Sequence, residues 1–231
     1  MLDLLRVRLR QRTNPVNPRD TGGGLPERFR GRLAASADAG AASRCLPVID
    51  LGATVFAPEE AVDGLHFTGD HRMAARTRQG LVSGDGEIEL AQALDAKMRS
   101  LLGRSLRLRS VAAGSCGGCE AELTALGNVV FDMARFGVQF VASPRHADGI
   151  VITGVVSANM REALEKTYEA VPDPRIVIAV GACAISGGVF QGSDQTTAIP
   201  PSIPVDLWIP GCPPHPLTLL DGLLRLLGRL E

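Results

Sequence analysis

The sequence predicts an α/β domain with an open parallel sheet flanked by helices, preceded by a small irregular N-terminal appendage. From residue 106 onward, short β-rich segments alternate with helical segments. This order is typical of βαβ units with right-handed crossovers, and therefore of a parallel sheet. Residues 13–44 are rich in Pro, Gly, Ala and Ser and show no sustained periodic pattern of apolar residues, which indicates a loop or linker.

Five strands and three helices are predicted after residue 106. LRLRSVA alternates as a half-buried strand does, and four later segments are short, β-rich and bounded by turns. The strands are predicted at 106–112, 138–142, 150–154, 175–180 and 205–210. The helices are predicted at about 119–135, 158–171 and 214–230, with Ser157 before the second and Pro213 or Pro214 in the first turn of the third.

Three segments divide the chain in this interpretation. Residues 1–33 are a basic segment and linker, which is either a frayed terminus or a docking element for a partner or an anionic membrane surface. Residues 34–105 are an appendage that is too small to bury much by itself, with a helix-like stretch at 87–103. Residues 106–231 are the main domain.

Charge and hydropathy exclude several classes of protein. The net charge of -1 gives no support to nucleic-acid binding. The opening segment is too charged for the apolar core of a signal peptide. The leucine-rich segment 217–230 is interrupted by Asp221, Arg225 and Arg229, and it is shorter than a bilayer-spanning helix. We therefore expect a protein that is soluble by itself and faces the cytosol.

Four of the five cysteines follow predicted strands. They are Cys116, Cys119, Cys183 and Cys212, and they belong to three strand-end loops. In an open parallel sheet the loops at the carboxyl edge converge on one crevice. Glycines stand beside each cysteine, which lets the backbone approach a bulky inorganic ligand. Four thiolates with nearby backbone N–H groups suit a 4Fe-4S cluster.

Two other interpretations of these cysteines are weaker. Structural zinc usually uses two close CxxC pairs, whereas here one CxxC is joined by lone cysteines 64 and 29 positions further on. Buried inert cysteines are common, but three Gly-Cys sites at three strand ends disfavour coincidence. No Walker loop or GxGxxG follows a strand. Among the four histidines only His146, in another strand-end loop, is a candidate for a functional role.

Four segments, in order, carry a resemblance to a known family. They are GSCGGCEAEL, ASPRHADGIVITG, VIAVGACAISGGVF and VDLWIPGCPPHP, and together they cover roughly residues 106–230. They resemble the small-subunit family shared by nickel-iron hydrogenases and the 20 kDa B subunit of NADH:quinone oxidoreductase. Because quinone-reductase subunits typically carry two adjacent cysteines, the CxxC of this chain is most similar to membrane-bound hydrogenases of the formate hydrogenlyase type.

The resemblance implies a flavodoxin-like fold and an electron-transfer subunit of an oxidoreductase complex, with no catalytic residue of its own. It implies that Cys116, Cys119, Cys183 and Cys212 ligate one 4Fe-4S cluster. The partners would be a hydrogenase-like large subunit with a nickel-iron centre, and other iron-sulfur and membrane subunits. The chain would sit on the inner face of the cell membrane through that complex. The alternatives are a quinone-reducing complex and a zinc-stabilised, non-redox assembly protein.

The chain also departs from the family. Acidic residues often stand where this chain has Ala112 or Ala113 and Ala182, whereas Glu122 matches an acidic position. LPERFRGRL and LHFTGDHRMAARTRQGLV resemble the flanks of a two-cluster ferredoxin module, which should contain C-x2-C-x2-C-x3-C-P. The corresponding positions hold Pro47, Asp50, Ala53 and Ala57 before Pro58, and only Cys45 is nearby. Residues 34–105 are therefore a degenerate ferredoxin-like appendage without ligands, or a plain linker.

Overall fold

The computed structural model describes residues 16–19, 25, 29–35, 65–81, 90–102 and 105–230. Within these ranges the strands are β1 Leu33–Ala35, β2 Leu65–Phe67, β3 Leu106–Ala112, β4 Val138–Phe140, β5 Gly149–Thr153, β6 Ile176–Val180 and β7 Leu207–Ile209. The α-helices are α1 Ala96–Leu102, α2 Gly118–Ala125, α3 Ala158–Glu169, α4 Ala182–Ser186 and α5 Pro216–Leu226. Short 3-10 turns lie at Gln79–Leu81, Met133–Phe136, Pro144–His146 and Gly188–Phe190.

Strands β3 to β7 form one all-parallel sheet in the order β4-β3-β5-β6-β7, which confirms the predicted fold class. The central strands β5 and β6 are buried at every position, because both faces of the sheet are covered. The strand order reverses at β3, which has β4 on one side and β5 on the other. In such a sheet ligands bind beyond the carboxyl ends of the strands at this reversal.

Two apolar clusters cover the two faces of the sheet. One joins α2 and α5 to the sheet through buried leucines such as Leu123 and Leu219. The other is built around Leu164 of α3, which packs with Ile152 and Val177. Helix α5 is buried along its whole length, including Asp221 and Arg225. Residues 1–105, the N-terminal region, contribute to this burial through Ala74, which packs with the leucines of α5.

The N-terminal region packs against β7 and α5. Ala75 and Trp208 exchange two backbone hydrogen bonds of 3.0 and 2.9 Å, which adds a short antiparallel bridge beyond the edge of the sheet. Further along, the Leu94 N–H donates to the Leu226 carbonyl at 2.9 Å. Strands β1 and β2 form a separate antiparallel pair. The division of the chain at residues 33 and 105 stays a prediction.

The predicted helix at 119–135 was wrong in its length, because α2 ends at Ala125. The side-chain oxygen of Asn128 accepts hydrogen bonds from the N–H groups of Val130 and Phe131, at 2.8 and 3.1 Å. Asn side chains compete with the helix for backbone donors in this way, so the helical pattern stops at a turn. A 3-10 turn at Met133–Phe136 follows.

Other boundaries also differ from the prediction. Helix α1 begins only at Ala96, where the Asp95 carboxylate accepts from the Met98 N–H at 2.9 Å and caps the first turn. Strand β1 lies in a segment predicted to be linker. Helix α5 starts at Pro216 and not at Pro213 or Pro214. No helix in the described part of the chain is long and apolar enough to cross a lipid bilayer.

Candidate metal centre

The four cysteines of the candidate site lie at the carboxyl edge of the sheet. Cys116 and Cys119 follow β3, the strand at which the order reverses; Cys116 precedes α2 and Cys119 is in its first turn. Cys183 lies in α4 directly after β6, and Cys212 follows β7. All four are free thiols; Cys116 is exposed and the other three are partly buried.

Backbone hydrogen bonds join the loops of Cys183 and Cys212. The Gly181 N–H donates to the Ile209 carbonyl, and the Ala182 N–H donates to the Gly211 carbonyl, each at 2.8 Å. These bonds continue the pairing of β6 with β7 beyond the last strand residues. The positions of the two cysteines relative to each other are therefore set by the sheet itself.

Two glycines leave room for the sulfur atoms. Gly181 has a φ of +89°, and a Cβ atom there would lie 2.5 Å from the Sγ of Cys119. A Cβ at Gly188, with φ +54°, would lie 3.0 Å from the Sγ of Cys183. Any side chain at Gly181 would therefore occupy the space that the Cys119 sulfur needs.

The thiols are close enough to interact electrostatically. Burial raises the pKa of Cys119 to about 12, and the charges of Glu120, Cys183, Cys212 and Cys116 contribute to the same rise. The pKa of Cys183 is raised by burial and then by Cys212 and Cys116, and that of Cys212 by burial and then by Cys116. Four thiolates in this arrangement repel one another, so a positively charged metal centre is needed to hold them all ionised.

Four thiols are the donors available at this edge of the sheet. In the ranges that the structure describes, no group of three His, Cys, Asp or Glu side chains is placed to hold a metal ion. A four-iron cluster binds each thiolate at a different iron atom, so its ligands stand further apart than those of one tetrahedral ion. Four thiols at one edge of the sheet, with glycines that leave space beside two of them, are donors of the kind such a group takes.

Glu120 is a site residue that the sequence-based prediction missed. Its Oε1 accepts hydrogen bonds from the hydroxyls of Ser115, at 2.6 Å, and Thr153. Burial raises the pKa of Glu120, but these two hydrogen bonds and a backbone hydrogen bond together outweigh burial, so the pKa lies below its usual value. A fixed negative charge therefore stands beside Cys119 and Cys183. The sequence does show that Glu120 directly follows Cys119, but it does not show the hydrogen bond from Thr153, which is 33 residues away.

Glu122 faces a different environment. It lines a cavity of about 250 Å³ between the Cys212 loop and the N-terminal region, together with Phe29, Phe67 and His215. Burial raises the pKa of Glu122. Glu122 thus places a carboxyl group in a half-buried cavity next to the Cys212 loop.

His215 joins the Cys212 loop to α5. Its Nδ1 accepts a hydrogen bond from the Leu217 N–H at 3.2 Å, so it caps the helix. Its ring lies edge-on to Phe29 and Phe131, with centroids 5.4 and 5.8 Å apart. Burial, and then the charge of His71, lowers the pKa of His215. The ring is therefore neutral at physiological pH and closes the Cys212 loop against the N-terminal region.

The remaining sequence candidates lie elsewhere. His146 is exposed in the turn that leads into the amino end of β5, so the structure does not bring it to the cysteines. The Ser186 hydroxyl donates to the Ala182 carbonyl at 3.1 Å, within α4. Cys45 and the positions that align with ferredoxin ligands lie outside the described residues.

Fold and site together define an α/β subunit whose cysteine-bearing loops meet at the switch point of a parallel sheet. The family model described as NADH ubiquinone oxidoreductase, 20 Kd subunit, matches residues 116–226. The chain belongs to this family of oxidoreductase-complex subunits, which confirms the resemblance seen in its four cysteine-containing and strand-end segments.

Curated relatives come from both branches of the family. The chain is 44% identical over 136 residues to the probable membrane-bound hydrogenase subunit mbhJ of Pyrococcus furiosus, covering 58% of this chain and 81% of that protein. It is 45% identical to the B subunit of the NADH-quinone oxidoreductase of Desulfovibrio desulfuricans, covering 47% of this chain and 59% of the relative. It is 39% identical to formate hydrogenlyase subunit 7 of Escherichia coli, covering 62% of this chain and 56% of the relative.

A solved structure is also similar. A chain of the membrane-bound sulfane sulfur reductase, an archaeal respiratory membrane complex, superimposes with a TM-score of 0.51 at 32% identity. The match covers 58% of this chain and 75% of that one.

Proposed function

We propose that this chain is an electron-transfer subunit in which Cys116, Cys119, Cys183 and Cys212 hold one 4Fe-4S cluster. The observation that carries this proposal is that four free thiols from three loops lie at the carboxyl edge of one sheet, where the Cys119 sulfur fills the space beside Gly181 of the Cys183 loop. Belonging to a family of oxidoreductase-complex subunits supports it. When bound, a cluster of this kind supplies one-electron transfer.

The chain's own residues would set the electrostatic environment of the cluster. Gly181 and Gly188 leave space beside two ligand sulfurs. Helix α2 begins at the CxxC pair, so the positive end of its dipole faces the thiolates. Glu120 acts in the opposite sense, because its negative charge disfavours the reduced state of a nearby centre. The balance of these charges tunes the potential at which the chain exchanges electrons.

We further propose that the electrons pass to or from a nickel-iron active site on a partner large subunit of a hydrogenase complex. The similarity to the hydrogenase subunit of Pyrococcus furiosus, over 81% of its length, supports this partner. The CxxC spacing of Cys116 and Cys119 favours the same branch. Association with the inner face of the cell membrane would then come from the other subunits, and the chain itself has no catalytic residue.

A quinone-reducing complex is the second candidate function. It is favoured by the 45% identity to the B subunit of an NADH-quinone oxidoreductase. Purifying the native complex through a tag on this chain distinguishes the two candidate functions, because a hydrogenase partner brings nickel and hydrogen-dependent dye reduction. A nickel-free complex with quinone reductase activity would favour the quinone-reducing candidate.

Metal analysis of cysteine variants tests the cluster itself. The full chain, purified anaerobically, is expected to contain about four iron and four labile sulfide atoms. Cys183→Ser should lose most of the iron, whereas the control Cys45→Ser should retain it, because Cys45 is not among the four ligands. Zinc in place of iron and sulfide would favour the assembly-protein alternative. Equal iron in both variants would also contradict the proposal.

A further inference from the structure

A second polar site lies at the far end of α5 from the cysteines. A cavity of about 590 Å³ separates the last turns of this helix from the N-terminal region. We call it the arginine cavity, and it is lined by Pro18, Arg19, Arg72, Asp221, Arg225, Gly228, Arg229 and Leu230. Arg225 is ten residues along the chain from His215, or about 15 Å along a helix axis. The arginine cavity is therefore separate from the candidate metal centre.

Positive charge dominates the described lining. Four guanidinium groups and one carboxylate face the arginine cavity. Arg225 is only 7% exposed, and its Nε donates to both oxygens of Asp221 at 3.1 and 2.9 Å. This pair uses the one carboxylate among the described lining residues, and Arg72 is paired with Asp70, which is not part of the lining.

The other arginines are held in position by separate contacts. Arg72 donates from Nε and Nη2 to the two carboxylate oxygens of Asp70, each at 2.8 Å, which fixes the plane of its guanidinium. Arg229 donates to the Phe136 carbonyl. The Arg19 guanidinium has no partner among the residues that the structure describes. The cavity thus combines oriented guanidinium groups with one that is available to a ligand.

A neighbouring cavity of about 440 Å³ extends the same surface. It shares Pro18, Arg19, Arg229 and Leu230 with the arginine cavity, and it adds a fifth guanidinium, that of Arg135. Arg135 donates to the Val16 carbonyl at 2.6 Å and stacks on the Phe136 ring. Phe136 and Leu224 give this part an apolar wall. A charged pocket therefore continues into a partly apolar one.

We propose that the arginine cavity binds a phosphate group, carried either by a free phosphate compound or by a phospholipid headgroup. Guanidinium groups present paired N–H donors that match the oxygens of phosphate, and the exposed Arg19 lies beside three guanidinium groups that are held in position. A dianionic phosphate can accept from several arginines at once. The apolar wall near Phe136 is compatible with the glycerol and acyl part of a lipid. This proposal does not depend on the cluster.

Phosphate binding to the full chain is the direct test. Calorimetric titration with sodium phosphate, at an ionic strength held constant with chloride, is expected to show saturable binding. Arg19→Gln should weaken the affinity about tenfold, because it removes one charged donor group. The phosphate affinity of Arg19→Lys should lie between that of the unchanged chain and that of Arg19→Gln, because lysine keeps the charge and loses the paired donors. Arg161→Gln, an exposed position on α3 paired with Glu165, is the matched control and should have no effect.

Vesicle flotation distinguishes the two sources of phosphate. If the ligand is a headgroup, vesicles containing phosphatidylglycerol should capture the full chain, pure phosphatidylcholine vesicles should not, and Arg19→Gln should reduce capture while Arg161→Gln does not. Calorimetric binding without flotation supports a free phosphate compound. Two results would overturn the proposal: no phosphate binding at constant ionic strength, or equal losses in the Arg19 and Arg161 variants. Binding of polyglutamate but not phosphate would overturn it in favour of an acidic protein partner.

Discussion

At the scale of single residues, the Glu120 carboxylate is the most informative group next to the cysteines. Hydrogen bonds from Ser115 and Thr153 stabilise its charged form, and its charge acts on both Cys119 and Cys183. The cysteines themselves were predictable, because a CxxC and two Gly-Cys loops are visible in the sequence. The role of Glu120 was not, because it depends on a contact with Thr153 that only the pairing of β3 and β5 creates.

Glu120→Gln is expected to raise the midpoint potential of the bound cluster by about 50–100 mV. Removing one negative charge at an effective dielectric constant of roughly 20 changes the energy of a nearby electron by roughly 1–2 kcal/mol. The measurement is an EPR-monitored redox titration of the full chain. Glu122→Gln serves as the control and should shift the potential less, since burial raises the pKa of Glu122 and so favours its neutral form. A larger shift in the control would refute the role assigned to Glu120.

Gly181→Ala is expected to reduce cluster content strongly. The added methyl group would lie 2.5 Å from the Sγ of Cys119, a distance that forces the sulfur or the loop to move. Gly192→Ala is a matched control, because Gly192 has a φ of +81° but nothing within 4 Å of its added Cβ. Iron per chain in the two variants separates steric exclusion from backbone strain. Comparable iron contents would show that the space beside Cys119 is not required.

At the scale of elements, the strands were easier to predict than the helix ends. β5 and β6 are runs of β-branched residues that stay buried on both faces, so their composition identifies them. The end of α2 depends on the Asn128 side chain, and the start of α1 depends on Asp95 and on backbone bonds to distant residues. Such long-range bonds leave little trace in a local pattern. The same is true of the bridge between Ala75 and Trp208.

The segment after β2 is held by Asp70, whose carboxylate accepts from the backbone N–H and the guanidinium of Arg72 and lies 3.6 Å from Arg32. Burial raises the pKa of Asp70, but the bonds to Arg72 outweigh burial, so the pKa lies below its usual value. A carboxyl group whose pKa is lower in the folded state than in the unfolded state stabilises the fold at pH values above the unfolded pKa of about 3.9. That contribution is lost as the pH falls through the lower folded value.

Asp70→Asn is therefore expected to lower the free energy of unfolding by about 1–2 kcal/mol at pH 7. The difference from the unchanged protein should shrink as the pH falls through the lowered folded pKa of Asp70, because the carboxyl is then protonated in both states. Urea unfolding at pH 7 and along a series of acidic pH values measures it. Asp173→Asn is the control, because the Asp173 side chain is 79% exposed beside Arg175, and its effect should stay within about 0.5 kcal/mol. A loss that is independent of pH would contradict the ionic explanation.

At the scale of the whole molecule, the N-terminal region and the main domain share one tightly packed contact. A Cβ at Gly222 of α5 would lie 2.8 Å from the Cβ of Ala74 and 3.3 Å from Ile209 Cδ1. Ala74 is fully buried in the cluster that contains the leucines of α5. The sequence shows only a glycine in a leucine-rich helix, and the reason for that glycine comes from a segment about 150 positions earlier.

Gly222→Ala is expected to lower stability by about 1–2 kcal/mol. Overpacking costs about 1–3 kcal/mol, and the better helix propensity of alanine offsets part of it. The double variant Ala74→Gly/Gly222→Ala should recover part of the loss, since it restores the space between the two segments. Urea unfolding of the three proteins checks this. A stabilised Gly222→Ala variant would mean that this contact is not close in solution.

EPR of the anaerobically purified full chain tests most directly whether four cysteines from three loops hold one redox-active cluster. We predict a single S = 1/2 signal on reduction by dithionite, which integrates to about one spin per chain and accompanies about four irons. The signal should disappear in Cys183→Ser and persist in Cys45→Ser. A chain that holds zinc, shows no signal on reduction, or keeps its signal in Cys183→Ser would contradict the four-cysteine cluster.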